Sequence, residues 1–98
     1  MSVSTSAEKM VQIVTNSSLE NKLIRSLEKI GITGYTIFNV RGDGDSGIQD
    51  SHMDGDTNIL LMVVVPAELS EVLMAKLLEY KNKGHHLLVF SVDAAVLA

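Results

Sequence analysis

Cysteine is absent from the sequence, which excludes a disulfide scaffold, a zinc site with cysteine ligands and a thiol nucleophile. Long apolar runs are also absent, because the longest, Ile59 to Pro66, is far too short to span a membrane. The polar start of the chain lacks the charged and apolar regions of a signal peptide. We therefore expect a soluble cytoplasmic protein that is not inserted into a membrane.

Basic residues are scarce, since 8 Lys and Arg face 12 Asp and Glu, for a formal net charge of −4. The acidic excess lies between Arg41 and Thr57, where five aspartates accompany one arginine. Nucleic-acid-binding proteins need clustered Lys and Arg to neutralise phosphates. This distribution argues against a nucleic-acid partner.

Apolar residues alternate or run together in four segments that are rich in β-branched residues, which predicts four strands. We place these strands at residues 8–15, 35–40, 58–65 and 87–92. The third is apolar throughout, so both of its faces should be covered. Residues 93–98 are short and apolar, and we expect them to extend the last strand or to dock against it.

Two stripes of apolar residues at helical spacing predict two helices, from Leu19 to Ile30 and from Leu69 to Tyr80. The second stripe consists of Leu69, Val72, Leu73, Leu77 and Tyr80. Before the first helix, Ser17 and Glu20 match a capping box. After it, Gly31 fits the left-handed position that ends many helices. Pro66 suits a helix start, where its missing N–H costs nothing.

The predicted order β-α-β-β-α-β is that of the α+β ferredoxin-like fold, with two helices on one face of a four-stranded antiparallel sheet. We expect one domain over residues 1–98. Residues 41–57 show no periodicity and are predicted to form a long flexible loop. The sheet face without helices is too apolar for water, so we expect it to pack against other copies of the chain.

Four short motifs stand out in the chain: Gly31-Ile32-Thr33-Gly34-Tyr35-Thr36-Ile37, Val40-Arg41-Gly42-Asp43-Gly44, Val63-Val64-Val65-Pro66 and Val89-Phe90-Ser91-Val92. Together they resemble motifs of the PII family of signalling proteins. The resemblance implies a homotrimer that binds adenine nucleotides in clefts between subunits. It also implies that the loop at 41–57, called the T-loop in that family, contacts a target protein whose identity stays unknown. No catalytic cofactor and no enzymatic activity are implied.

The resemblance also implies which residues form the nucleotide site. Adenine and ribose would lie near Val14, Gly34, Tyr35, Thr36, Met62 and Val64. The phosphates would lie near the residues Arg41, Gly42, Asp43, Gly44, Asp45, Ser46, Lys83, His85 and His86. Gly42 and Gly44 would bring backbone amides close to the phosphates, as in an anion nest.

The chain departs from the family where outer phosphates are held. His86 stands where the family has a lysine, and Asp45 and Ser46 replace an Arg-Gln pair. Each outer phosphate needs counter-charge, so we expect ADP or AMP to be preferred over ATP, with cyclic AMP left open. These departures resemble the PII-like branch linked to bicarbonate transport and carboxysomes. That likeness implies a role in inorganic carbon metabolism, with bicarbonate held by Arg41 and Gly42.

A structural interaction module, whose acidic loop docks a basic partner surface, stays open at this point, and so do two other functional classes. A metal-binding trimer of related fold would use His52, His85, His86 and the aspartates, although the spacing matches no calcium loop and we assign no metal site. A slow nucleotide-hydrolysing enzyme is the other alternative. Acylphosphatase chemistry is disfavoured because the loop after the first strand, Asn16-Ser17-Ser18, contains no arginine.

Overall fold

Four antiparallel strands form one sheet, and the computed structural model describes it over residues 3–42 and 57–98. The strands are β1 (Thr5–Asn16), β2 (Thr36–Val40), β3 (Asn58–Val65) and β4 (Leu87–Leu97), in the spatial order β2-β3-β1-β4. Helix α1 (Glu20–Ile30) follows β1 after a short 3-10 turn, Ser17–Leu19, and helix α2 (Ala67–Asn82) joins β3 to β4. This is the predicted ferredoxin-like arrangement. Residues 43–56, and with them most of the predicted T-loop, lie outside the described residues.

The core lies between the helices and one face of the sheet. Alternate residues of each strand point to the same side, so the buried residues of β1 and β3 meet the helices as one layer. The fully buried side chains of this layer include Val11, Ile13, Leu61, Val63, Leu23, Leu27, Leu73, Leu77 and Leu87. In α2 the predicted stripe is wrong at one position, since Val72 is 52% exposed while Ser70 is buried. The hydroxyl of Ser70 donates to the carbonyl of Ala67, which satisfies it inside the helix.

The start of α1 also differs from the predicted capping box. The side chain of Asn16 accepts the amide of Ser18, while Ser17 Oγ accepts the amide of Thr57. Ser17 therefore ties the helix start to β3, and the residue before α1, Leu19, makes no side-chain cap. The predicted helix end is confirmed, because Gly31 has φ of 100° and its amide bonds back to Leu27 and Glu28. Pro66 precedes the first residue of α2, as predicted.

Strand β1 is longer than predicted, and residues 93–97 extend β4, which was one of the two expectations for them. The two strands pair along their whole length, from Thr5 with Leu97 to Thr15 with Leu87. Because β3 pairs with β1 only from Lys9 onward, the far part of β1 and β4 projects as a two-stranded ribbon. Lys9 Nζ donates to Asp93 Oδ1 across this pair. This hydrogen bond, with the charge of Lys9, holds the pKa of Asp93 below its ordinary value.

The sheet face without helices, which we call the open face, is apolar and uncovered in the single chain. Its members alternate with the core residues and are Met10, Gln12, Val14, Thr36, Phe38, Leu60, Met62, Val64, Leu88, Phe90 and Val92. Of these, Phe38, Val64, Leu88, Phe90 and Val92 are large apolar side chains that are 39–47% exposed. Nothing in the described residues packs on this side of β3, so its coverage by other copies of the chain stays a prediction.

The open face predicts self-association. We expect Phe90→Asp to convert an assembly of several copies into monomers, because a carboxylate cannot be buried unpaired against another apolar face. Light scattering after size-exclusion chromatography measures the mass, and circular dichroism checks the fold. The matched control is Leu78→Asp, since Leu78 is an exposed apolar residue on α2 (56%). An unchanged mass for Phe90→Asp, or an equal loss of mass for the control, would show that the open face is not the interface.

Candidate functional site

The two ends of the sheet give the predicted site residues their positions. At one end Asn58 pairs with both Val40 and Asn16, and Leu87 pairs with Thr15 beside them. We call this the Asn58 end. At the other end β3 finishes at Val65 opposite Lys9, and we call this the Val65 end.

One group of predicted residues lies on the open face towards the Val65 end. Thr36 of β2 is opposite Met62 of β3, which is opposite Gln12 of β1, so these side chains form one cross-strand row. Val64 lies two residues further along β3 on the same face and is 44% exposed. Gly34 and Tyr35 lead into this end of β2, and both are exposed.

A second group of predicted residues gathers at the Asn58 end. Arg41 and Gly42 directly follow β2 there, and both are exposed. The segment that contains Lys83, His85 and His86 arrives at the same end from α2. Val14 lies on the open face nearby, opposite Leu60 and Leu88. Of the predicted site, Asp43, Gly44, Asp45 and Ser46 lie outside the described residues.

The segment after α2 is held in place by several contacts. His85 is half-buried, and its ring packs edge-on against the ring of Tyr80, with centroids 5.9 Å apart. The carbonyl of His86 accepts the hydroxyl of the buried Thr15 at 2.7 Å, while the His86 side chain is exposed. Lys83 follows the last turn of α2, and its side chain is exposed. These contacts fix the backbone of the segment and leave Lys83 and His86 accessible to a ligand.

The two groups are separated within one chain. From Val64 to Asn58 the strand advances six residues, or about 20 Å at the usual rise per residue. Thr36, Met62 and Val64 are therefore not neighbours of Arg41 and Gly42 in the single chain, whereas Val14 lies one cross-strand row from Met62. A ligand that contacts Val64 and Arg41 over a short distance requires two chains.

Asn58 is a candidate residue that sequence reasoning missed. Its Oδ1 atom is buried and finds no hydrogen-bond donor among residues 3–42 and 57–98. A buried polar atom without a partner is costly, so such atoms are often completed by a ligand or by water. The signal that the sequence offered was a polar residue at the start of an otherwise apolar strand. In the structure this residue pairs with Val40, which directly precedes Arg41 and Gly42.

Metal ligation finds no geometric support in the part of the chain that the structure describes. Within residues 3–42 and 57–98, no group of three His, Asp or Glu side chains comes together. His52, which the metal alternative requires, lies outside those residues. Neither described helix is long and apolar enough to cross a membrane.

Comparisons with known proteins agree with this fold. The model of the family "Nitrogen regulatory protein P-II" matches residues 8–97. A PII-like signalling protein from Thermus thermophilus aligns with a TM-score of 0.77 and 28% identity, over 96% of this chain and 92% of that one. No curated protein sequence matches the chain.

Two structures of CPII from Thiomonas intermedia are also similar. The form bound to ADP and bicarbonate aligns with a TM-score of 0.84 and 24% identity, over 99% of this chain and 95% of that one. The form bound to ADP, AMP and bicarbonate aligns with a TM-score of 0.78 and 25% identity, over 96% of this chain and 97% of that one.

Two glycines of the candidate site predict a stability result that separates folding from binding. A Cβ atom built on Gly34 or Gly42 meets nothing within 4 Å, and neither residue has a positive φ. We therefore expect Gly34→Ala and Gly42→Ala to change the free energy of unfolding by less than about 0.5 kcal/mol. Gly31→Ala should cost about 1 kcal/mol, because φ of 100° strains an alanine. Urea titration measures the free energy of unfolding of all three variants. A large loss of stability for Gly34→Ala or Gly42→Ala would show that folding, and not only binding, requires a glycine there.

Proposed function

Because the chain belongs to the nitrogen regulatory protein P-II family, we propose that it is a PII-like regulatory protein that binds adenine nucleotides between subunits of a homotrimer. The ligand is ADP or AMP in preference to ATP. Members of this family are regulatory proteins, and we propose no enzymatic activity for this one. It acts in the cytoplasm as a single-domain signal transducer.

The observation that carries this proposal is the separation of the predicted site into two groups. Thr36, Met62 and Val64 offer a largely apolar surface for a base and ribose. Arg41 and Gly42 offer a guanidinium and an accessible backbone for phosphates. When open faces pack together, the Val65 end of one chain meets the Asn58 end of the next, and the two groups form one cleft. CPII, which has the same fold, was solved with ADP bound.

The preference for ADP or AMP depends on charge at the phosphate side. His86 is exposed where the family has a lysine, so the permanent charge of a lysine is missing from this position. Fewer cations weaken the binding of a third phosphate more than of the first two. Cyclic AMP, with one phosphate, remains a ligand to be compared.

A role in inorganic carbon metabolism follows as part of the same proposal. CPII was solved with bicarbonate beside ADP, and also with ADP, AMP and bicarbonate. In this chain Arg41 and the backbone of Gly42 are exposed together after β2, and they supply a cation and an amide donor for a planar anion. Binding of nucleotide and bicarbonate then changes the conformation of the T-loop, and the T-loop in turn binds or releases a target protein.

Calorimetric titration with ADP, AMP, ATP and cyclic AMP, each with and without bicarbonate, tests the proposal. We expect one nucleotide per chain, with ADP or AMP at least about fivefold tighter than ATP, and tighter nucleotide binding when bicarbonate is present. Gly42→Ala should weaken ADP binding by about tenfold, since a methyl group blocks close approach to backbone amides. The matched control is Ala75→Ser on the exposed face of α2.

Two results would contradict the proposal. If no nucleotide produces heat at two temperatures, the chain is not a nucleotide sensor. If ADP binds normally to Gly42→Ala, the phosphates do not lie at the turn after β2.

A further inference from the structure

Basic residues line up on facing sides of the two helices. On α1, Lys22, Arg25 and Lys29 recur at intervals of three and four, so they share one side of the helix. Lys76 lies on α2 one turn before Tyr80, and Lys83 follows the end of α2, about one turn after Tyr80. The structure brings all five cations together as the lining of a groove between the helices.

This groove, which we call the α1–α2 groove, encloses about 280 Å³ and lies on the helical side of the sheet, away from the open face. Besides the five cations it is lined by Ser26, Tyr80 and His85. It therefore holds five of the eight Lys and Arg residues of a chain whose net charge is −4. No carboxylate belongs to the lining.

The cations of the α1–α2 groove are largely unneutralised. Among the described residues, the one ion pair that any of them makes joins Lys76 Nζ to Glu79 Oε1 at 3.4 Å. Like charges at helical spacing repel one another and so destabilise a helix. A bound anion would relieve this repulsion, so the arrangement favours a ligand with several negative charges.

The floor of the groove is built and held by hydrogen bonds. Tyr80 Oη lies 2.6 Å from Ser26 Oγ, and both residues are buried. Tyr80 Oη also donates to the carbonyl of Lys22 at 3.2 Å, which locks α2 against α1. Lys76 Nζ lies 5.9 Å from the centre of the Tyr80 ring, and His85 packs against its edge. The side chains at the floor are therefore ordered before any ligand arrives, which lowers the entropic cost of binding.

From this geometry we propose that the α1–α2 groove binds a small anion that carries two or more phosphate groups. Lys and Arg donors match phosphate oxygens, and five cations exceed what one carboxylate or one phosphate would neutralise. The groove is small, and the exposed carboxylates of Glu28 and Glu79 lie beside its cations on the same helices. These acids would repel an extended polyanion such as RNA or an aspartate-rich peptide.

The inference does not rest on the proposed nucleotide function. Lys22, Arg25, Lys29 and Lys76 lie on the helices, on the opposite side of the sheet from Thr36, Met62 and Val64. Lys83 and His85 belong both to the proposed nucleotide site and to the lining of the α1–α2 groove. A test must therefore saturate the nucleotide site first. It must then change cations that line the α1–α2 groove and do not belong to the nucleotide site.

The probe is inorganic pyrophosphate, titrated calorimetrically into the full chain in the absence and in the presence of saturating ADP. We expect one pyrophosphate per chain in both conditions. Binding should weaken as salt is raised, because charge dominates it. The double variant Arg25→Gln/Lys29→Gln removes two exposed cations and should weaken pyrophosphate binding at least about tenfold, since each charged hydrogen bond contributes substantially. Its affinity for ADP should not change.

The matched control is Lys9→Gln/Lys81→Gln, which lowers the net charge equally but touches neither the groove nor the nucleotide residues. It should weaken pyrophosphate binding by no more than about threefold, because distant charges are screened by salt. Thermal unfolding checks that both double variants fold.

Four outcomes would overturn the proposal. They are the absence of pyrophosphate heat, its loss when ADP is saturating, an equal effect of the control variant, and binding of an aspartate-rich peptide without binding of pyrophosphate. If ADP itself fails to bind, the nucleotide proposal fails. The titration of pyrophosphate without ADP then still decides whether the α1–α2 groove binds this anion.

Discussion

The pairing of β1 with both of its neighbours is the constraint on which the rest of the structure depends. Its register places Val11 and Ile13 under the helices and Gln12 and Val14 on the open face. A slip by one residue would exchange these sets, because successive side chains point to opposite sides of a strand. The same register carries Asn58 and Leu87 to one end of the sheet, and the pairing of β2 with β3 brings Val40 there. The candidate site is therefore set by strand pairing before any ligand or second chain is considered.

The two faces of this layered structure differ in chemistry and so suit different ligands. The open face is apolar, and its exposed Phe38 and Phe90 favour contact with other copies. The helical side carries the α1–α2 groove, whose cations favour phosphates. A buried core of side chains lies between them, including Ile13 and Leu73. One sheet thus gives a small chain two surfaces of different character, an apolar one on one side and a positively charged one on the other.

Most of the fold could be predicted from the sequence, because apolar spacing decides which elements form. The bounds of β3, the helix end at Gly31 and the start of α2 after Pro66 are confirmed. The start of β1 at Thr5 was missed, since the exposed residues before Glu8 carry no alternating apolar pattern. The site was predicted by resemblance as a set of residues but not as two separated groups, which only the register reveals. The α1–α2 groove was missed because its cations are about fifty residues apart in sequence, and Tyr80 was interpreted only as a core residue.

The central claim is that one nucleotide site is completed by two chains packed through the open face. Titration of ADP into Phe90→Asp, with the mass of the protein measured in the same solution, tests it most directly. The account predicts a folded monomer that no longer binds ADP, because Thr36 and Met62 of one chain have lost Arg41 and Gly42 of the next. A folded monomer that binds ADP as tightly as the unmodified chain would contradict the account, since one chain would then hold the whole site.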